Sequence, residues 1–255
     1  MIFTDTHTHI YYLTDEDELQ AAINLCLDNA VNRLFLPCVD IASVQLIKNV
    51  CDKFPDNCFP MLGIHPCDVK ENYAEDLQNL KDAFDEIKPC AIGEIGMDLF
   101  WDKTHKAQQF SAFNDQIEWA KETNLPINIH CRDAFDEVFE VLESHKGEGI
   151  SGIFHCFTGN LQQAQQAIDL GLYIGIGGVV TYKNSGLDKV VAQLDLERLV
   201  LETDAPYLAP VPFRGKPNQS AYVVHIAQKI ADLHQVSIEK VAEITTQNSI
   251  KVFGL

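Results

Sequence analysis

Two histidines near the start of the chain have the spacing of a metal half-site. His7 and His9 follow a short apolar run, with Asp5 in the same row. Alternate residues of a β-strand point to the same face, so the two imidazoles are expected side by side. Imidazole is the commonest metal-binding side chain. Taken alone, the motif fits an edge strand with solvated histidines better than a metal site, and the rest of the chain reverses that preference.

Similar side chains close several later apolar runs. Glu94 lies in the fourth run, His130 ends the fifth, His155 lies in the sixth and Asp204 ends the eighth. Strands that alternate with helices form parallel barrels or sheets, and in a barrel the strand C-termini meet at one rim. Five separate strands would therefore bring metal-binding groups to one place. The six predicted metal ligands are His7, His9, Glu94, His130, His155 and Asp204.

Eight apolar runs, each followed by a helical pattern, must position these side chains. The runs cover residues 2–9, 33–37, 59–66, 90–96, 126–130, 152–157, 172–176 and 198–204. The helical stretches cover residues 14–30, 41–53, 73–87, 104–123, 133–145, 160–170, 186–193, 219–234 and 237–251, and Thr14 is the predicted N-cap of the first. This alternation predicts an α/β protein, a (β/α)8 TIM barrel that forms a single domain over residues 1–255 with an extra C-terminal helix. An open, doubly wound sheet is the alternative.

The number of donors decides the kind of metal site. A four-coordinate zinc site uses four ligands, whereas four imidazoles and two carboxylates suit two divalent ions, with Glu94 as the predicted bridge. The mixed nitrogen and oxygen set fits Zn, Mn, Fe or Ni and does not exclude Mg. Such a pair activates water and stabilises an in-line phosphoryl displacement. Asp204 is the predicted catalytic residue, as both ligand and general base, while Glu202 shares its face one pleat deeper and is predicted to support the ligands.

Composition limits the partners and the compartment. The chain has 37 acidic and 19 basic residues, a net charge of −18, which disfavours a long nucleic-acid groove and an anionic membrane surface. Eight cysteines form no C-x-x-C motif and are expected to be reduced. No signal peptide is recognisable, and no run approaches the ~18 apolar residues of a membrane span. We therefore expect a cytoplasmic protein with no membrane association and no obligate protein partner.

Motifs spread over the whole chain are similar to those of one enzyme family. They are Asp-x-His-x-His at 5–9, Gly-Ile-His-Pro at 63–66, Ala-Ile-Gly-Glu-Ile-Gly-Met-Asp at 91–98, Pro-Ile-Asn-Ile-His-x-Arg at 126–132, His-Cys-Phe-Thr-Gly at 155–159, Leu-Glu-Thr-Asp-Ala-Pro-Tyr-Leu at 201–208 and Arg-Gly-Lys-Pro-Asn at 214–218. The chain thereby resembles the TatD family of metal-dependent deoxyribonucleases. The resemblance implies a TIM barrel of the metal-dependent hydrolase superfamily, a divalent metal pair on the same six residues, and phosphodiester hydrolysis. One departure is that the family usually continues His-x-His with Leu-Asp, where this chain has Ile10 and Tyr11.

Four further residues are candidates for substrate binding. His65 precedes a proline and either contacts substrate, supports the metal ligands or fixes a tight turn. Arg132 shares a face with His130 and suits a phosphate oxygen, the alternative being a structural ion pair. Arg214 and Lys216 lie in a proline-rich loop after the eighth run and could also bind phosphate, the alternative being a solvent-exposed basic turn. Trp101, in the loop after the fourth run, could stack a nucleobase or pack as a lid.

The predicted function is therefore hydrolysis of DNA phosphodiester bonds by metal-activated water. With no basic stripe in the sequence, short or single-stranded DNA cut from its ends is favoured over long duplex DNA. A different hydrolase on the same metal site, an amidohydrolase, a lactonase or an aminoacyl-ester deacylase, is the alternative, because one fold hosts many chemistries. A non-catalytic binding protein is the third interpretation, and six intact donors argue against it.

Overall fold

Eight parallel strands form one sheet in which neighbours in the sequence are neighbours in space. A computed structural model describes residues 1–255. The strands are β1 Phe3–Asp5, β2 Val31–Leu36, β3 Cys58–Leu62, β4 Ala91–Asp98, β5 Ile127–Arg132, β6 Gly152–Phe154, β7 Leu172–Ile176 and β8 Leu199–Leu201. Their order is β1-β2-β3-β4-β5-β6-β7-β8, and all seven pairings are parallel. The predicted TIM barrel is confirmed.

Helices connect the strands and surround the sheet. They are α1 Glu16–Asp28, α2 Ile41–Lys53, α3 Tyr73–Asp82, α4 Phe84–Ile87, α5 Lys106–Thr123, α6 Phe135–Ser144, α7 Leu161–Asp169, α8 Leu187–Val191, α9 Val223–His234 and α10 Ile238–Phe253. The α10 helix is the extra C-terminal helix that the periodicity predicts. None of these helices combines the length and the apolar character needed to cross a bilayer.

Side-chain caps fix where several helices begin. Asp15, rather than the predicted Thr14, caps α1, because its carboxylate accepts the backbone N–H groups of residues 17 and 18. Asp40 caps α2 in a reciprocal arrangement with Ser43, so both orphan donors at that end are satisfied. Ser237 caps α10 by accepting the backbone N–H of Lys240.

Backbone hydrogen bonds bring the last strand beside the first. The N–H of Thr6 donates to the carbonyl of Leu201 at 2.9 Å, and the N–H of Asp204 donates to the carbonyl of His7 at 2.9 Å. The strands at this seam are shorter than predicted, since β1 ends at Asp5 and β8 ends at Leu201. The predicted ligands on these strands therefore lie in the segments directly beyond the ladder, where backbone direction is still set by the sheet.

The opposite end of the barrel is closed by the C-terminal helix. A small apolar cluster contains Phe35, Met61, Ala91, Ile153 and Val200 from the strands with Val252 and Phe253 from α10. The ring of Phe253 stacks on that of Phe35 with centroids 3.8 Å apart. Asn248 of the same helix donates to the carbonyl of Leu199 at 2.8 Å, at the start of β8. This end therefore serves stability and leaves the other end for chemistry.

Truncating Phe253 tests whether the end of the barrel closed by the C-terminal helix serves stability. We expect Phe253→Ala to lower the free energy of unfolding by about 3 kcal/mol, because it removes a stacked ring and leaves a cavity. Denaturant unfolding measures the loss. Leu255→Ala is the matched control, since Leu255 is 49 % exposed two residues later and should change stability by less than about 0.5 kcal/mol. Equal losses of unfolding free energy in the two variants would contradict the stabilising role assigned to the Phe253 ring.

Candidate active site

A cavity of about 740 Å³ opens at the C-terminal ends of the strands. Five of the six predicted ligands line it, and the sixth, His7, is fully buried directly against them. The ring of His7 stacks on that of His155, with centroids 3.4 Å apart and an interplanar angle of 16°. Side chains from five strand ends therefore converge at one place, in the arrangement that a barrel active site requires.

The first half of the cluster is built from the segments after β1 and β8. The Nε2 atoms of His7 and His9 are 3.3 Å apart. The Nε2 atom of His7 lies 3.3 Å from Oε2 of Glu94, and the Nε2 atom of His9 lies 3.4 Å from Oδ1 of Asp204. Asp5 does not join this group, because its carboxylate accepts hydrogen bonds from the backbone and hydroxyl of Thr203.

Buried acceptors determine which ring nitrogen of each histidine carries the proton. The hydroxyl of Tyr11 donates its only proton to the carbonyl of Pro37 at 2.8 Å. Its oxygen therefore accepts from Nδ1–H of His9, also at 2.8 Å. The amide oxygen of Asn128 accepts from Nδ1–H of His7 at 2.9 Å in the same way. Both Nε2 atoms thus present lone pairs to the cluster.

Lone pairs that face each other call for a cation. With both Nδ1 atoms protonated, no hydrogen lies between the Nε2 atoms of His7 and His9, and carboxylate oxygens complete the same group. Such a set is repulsive by itself and attractive around a positive ion. The donor types, imidazole nitrogen and carboxylate oxygen, are those that divalent transition metals bind. The residues therefore fit the metal that the six-donor pattern predicts.

The second half of the cluster comes from β4, β5 and the segment after β6. The Nδ1 atom of His130 lies 2.8 Å from Oε1 of Glu94, and the Nε2 atom of His155 lies 3.5 Å from the same oxygen. The outer nitrogens contact carboxylates, since His130 Nε2 is 3.1 Å from Asp98 and His155 Nδ1 is 3.1 Å from Glu202. Carboxylates behind histidines orient the rings and raise their basicity.

Glu202 fits behind His155 only because the neighbouring strand carries a glycine. A Cβ atom at Gly175 would lie 2.4 Å from a carboxylate oxygen of Glu202. The other oxygen of Glu202 accepts the backbone N–H of Cys156. Glu202 is therefore placed one pleat below the cluster, as its position two residues before Asp204 predicts.

The pKa values of Glu94 and Asp204 are lowered although both carboxylates are buried. Burial raises the pKa of Glu94, but His7, His65, His155 and His130 together hold it well below its ordinary value. Burial likewise opposes ionisation of Asp204, and its histidine neighbours lower its pKa. Both carboxylates are consequently anionic near neutral pH and available to a cation.

His65 has the opposite tautomer from His7 and His9. Its Nδ1 accepts the backbone N–H of Cys67 at 3.1 Å, so the proton of the neutral ring lies on Nε2. Burial lowers the pKa of His65 to about 3, which keeps the ring neutral. Nε2 lies 3.3 Å from Nδ1 of His130 and 3.6 Å from Oε1 of Glu94, and the residue lines the cavity. His65 thus offers an N–H donor there, in contrast to the lone pairs offered by the other two histidines.

A tight turn after β8 presents Asp204. Its backbone has φ of 57°, a left-handed conformation that aspartate tolerates better than most residues. Asn218 holds this turn, because its amide donates to the carbonyls of Thr203 and Tyr207, both at 2.7 Å. The asparagine that closes the 214–218 motif therefore positions the catalytic candidate.

The three basic candidates differ in their positions. Arg132 lines the cavity, and no carboxylate lies within 4.0 Å of its guanidinium. Arg214 lies over the ring of Tyr182, 4.1 Å from its centroid, outside the residues that line the cavity. Lys216 does not line it either. The structure thus brings Arg132 together with the cluster and leaves Arg214 and Lys216 on the loop that precedes Asn218.

Comparison with known proteins gives the family. Residues 4–254 match the family described as TatD related DNase. The chain belongs to the TatD family. It is 37 % identical to an uncharacterized metal-dependent hydrolase, YabD, of Bacillus subtilis over the full length of both chains. It is 33 % identical to another, YcfH of Escherichia coli, over 100 % of this chain and 97 % of that one.

A solved structure agrees with the fold. The crystal structure of YjjV, a TatD homologue from Escherichia coli, superposes with a TM-score of 0.92 at 28 % identity, covering 99 % of this chain and 98 % of that one. The predicted TatD resemblance is confirmed. This TatD-family chain is therefore a metal-dependent hydrolase, and hence an enzyme.

Sequence reasoning missed several side chains that support the candidate ligands of this TatD-family enzyme. They are Tyr11, Asp98, Asn128 and Asn218. The sequence does carry a signal for Asn128, because this residue lies two positions before His130 and so shares its strand face. Asp98 closes the fourth strand, another recognisable position. Tyr11 had no such signal, since its role depends on a carbonyl 26 residues away.

The Tyr11 hydroxyl can be tested directly. In metal-free protein labelled with 15N-histidine, at mildly alkaline pH, long-range proton–nitrogen spectra should show His9 protonated at Nδ1 only. Tyr11→Phe removes one oxygen and should give a mixture of tautomers and about 10- to 100-fold weaker metal binding. Tyr222→Phe, the same change on a ring that stacks on Phe213, is the control. A wild-type His9 protonated at Nε2 would refute the assignment.

Proposed function

We propose that this enzyme is a TatD-type deoxyribonuclease that hydrolyses phosphodiester bonds of DNA with two divalent metal ions. The observation that carries the proposal is the combination in one cavity of the six-donor cluster with Arg132, a guanidinium that has no carboxylate partner. An unpaired guanidinium beside a metal cluster suits an anionic substrate, since it binds phosphate oxygens in a bidentate manner. The family description supports the same substrate.

The buried charges favour two ions over one. Four carboxylates contact the cluster histidines, namely those of Glu94, Asp98, Glu202 and Asp204, and the only basic side chains within 4.0 Å of their oxygens are histidines. Buried charges must be paired, and four negative charges match two divalent cations when the histidines are neutral. His7, His9 and Asp204 would hold one ion and His130 and His155 the other, with Glu94 between them.

The reaction needs an attacking water, a general base and a way to hold the phosphate. Divalent ions, when bound, lower the pKa of a water ligand and stabilise negative charge on the phosphoryl oxygens. Asp204 is the proposed general base, because its side chain is 14 % exposed and can reach water in the cavity. Glu94 is 3 % exposed and surrounded by histidines, which suits a structural bridge.

Substrate contacts come from the wall of the cavity. His65 lines the cavity with its Nε2 3.3 Å from Nδ1 of His130, and this N–H can donate to a non-bridging phosphate oxygen placed beside the cluster. Arg132 can bind a second oxygen or the neighbouring phosphate. Arg214 and Lys216, which lie outside the cavity, are proposed to contact phosphates further along the strand.

Shape and charge favour the end of a single strand. A cavity of about 740 Å³ has the size of one or two nucleotides rather than of a duplex. The net charge of −18 repels a long polyanion, so only the nucleotides that enter the cavity meet compensating positive charge. We therefore propose exonucleolytic action on short or single-stranded DNA.

Metal removal and one substitution test the proposal. On labelled single-stranded DNA, a chelator should abolish cleavage and added divalent ions should restore it. Asp204→Asn should lower kcat at least 100-fold, because it removes both a ligand charge and the general base. Glu197→Gln, the same carboxylate-to-amide change at an exposed residue before β8, should retain full activity.

Other outcomes of that assay identify the alternatives. DNA left intact while a carboxylic ester or amide is cleaved in a metal-dependent manner would favour the amidohydrolase, lactonase or deacylase assignment. Unchanged nuclease activity in Asp204→Asn would exclude the role assigned to this residue.

The exonucleolytic mode has its own test. Linear single-stranded DNA should be degraded, and a circle of the same sequence should remain intact, because it presents no end to the cavity. Gel electrophoresis of both substrates in one reaction compares them directly. Cleavage of the circle at a similar rate would make the enzyme an endonuclease.

A further inference from the structure

The two tryptophans of the chain differ sharply in their surroundings. Trp119 is 3 % exposed, whereas Trp101 is 68 % exposed at the rim of the cavity. The adjacent Phe100 is 49 % exposed, and the two rings meet edge to face with centroids 4.8 Å apart. Two adjacent exposed aromatic rings at the rim of a cavity suggest a surface that another molecule covers during function.

The loop that carries Trp101 is anchored to the metal cluster. Oδ1 of Asp98 accepts the backbone N–H of Phe100 at 2.9 Å and that of Trp101 at 2.8 Å. Oδ2 of the same carboxylate contacts Nε2 of His130 at 3.1 Å. The buried side chain of Gln109 further bonds the backbone of Asp98 on both sides. The backbone that carries the indole is therefore held at a set position relative to His130.

A cation lies beside the exposed rings. The guanidinium of Arg132 lies 4.1 Å from the centroid of Phe100 and 5.3 Å from that of Trp101. Although the chain has 37 acidic residues, none places a carboxylate within 4.0 Å of this group. Aromatic contacts hold the guanidinium in place while its N–H donors remain available.

We propose that Trp101 is a stacking platform for an unpaired nucleobase and that Arg132 binds the phosphate of the same nucleotide. This inference rests on the proposed function and specifies its substrate. A nucleotide joins a flat aromatic face to an anionic group, which matches an indole beside a guanidinium. Inside a duplex both faces of a base are covered by the neighbouring base pairs, so the platform needs a base that is free of this stack, as in an unpaired strand end. The platform therefore selects single-stranded ends.

Fluorescence of Trp101 provides a readout that does not depend on catalysis. The Trp119→Phe variant leaves Trp101 as the only tryptophan. Titration of this metal-loaded variant with deoxyadenosine 5′-monophosphate should quench its emission in a saturable manner. The abasic analogue 2-deoxyribose 5-phosphate carries the same phosphate and should leave the emission unchanged.

Two substitutions separate the base contact from the phosphate contact. By calorimetry, Trp101→Ala should weaken binding of deoxyadenosine monophosphate by roughly 5- to 150-fold, the range of a lost base stack, and leave the abasic analogue unaffected. Trp101→Phe should recover part of the loss. Arg132→Gln should weaken both ligands by a similar factor. Trp119→Phe alone should bind both like the wild type.

Three results would overturn the platform. They are unquenched Trp101 emission at calorimetric saturation, equal weakening of both ligands by Trp101→Ala, and the absence of any binding of the mononucleotide by the metal-loaded wild type. The proposed nuclease activity can be refuted independently of the platform. An enzyme that binds and is quenched by the mononucleotide but leaves DNA uncut would retain the platform and lose the function.

Discussion

Unprotonated nitrogens and carboxylate oxygens converge at one end of the barrel with no hydrogen between them. The Nε2 atoms of His7 and His9 are 3.3 Å apart, and each ring has already committed its proton to a buried acceptor on the far side. This arrangement is unfavourable for the protein alone and is relieved by a cation. The sheet makes it possible, because strand ends are held by ladder hydrogen bonds that the side chains cannot rearrange. Folding and metal binding are consequently linked at this site.

The supporting side chains connect the cluster to the loops that surround it. Asp98 contacts His130 with one oxygen and holds the backbone of Phe100 and Trp101 with the other. Asn218 fixes the turn that presents Asp204 from a loop beyond β8. Loops of TIM barrels are free to vary, yet these two are tied to the ligands by buried polar contacts. Substrate-facing groups are thereby held at set positions relative to the chemistry.

The parts of this site that sequence could reveal are those in which residue type and element position coincide. A histidine or carboxylate at the end of an apolar run, such as His130 or Glu94, is recognisable because strand parity and barrel topology bring such ends together. The hydrogen bond by which Tyr11 orients His9 is not recognisable in the sequence, since it depends on the carbonyl of Pro37, which follows another strand. The loop path that carries Arg214 away from the cavity has no periodic signal. The predicted runs at the β1–β8 seam are longer than the observed strands, because the sequence pattern continues past the last hydrogen bond of the sheet.

The acidic surface is compatible with the proposed anionic substrate, because charges act over short distances. Exposed charges are screened beyond about 8–10 Å at physiological ionic strength, so a phosphate inside the cavity responds mainly to its immediate neighbours. Those neighbours are Arg132 and the N–H of His65, together with the divalent cations that we propose for the cluster. A strand lying along the outside would instead meet unbalanced negative charge. With the proposed substrate, the composition that disfavours a nucleic-acid groove would therefore confer selectivity, since it leaves the cavity as the favourable place for a phosphate.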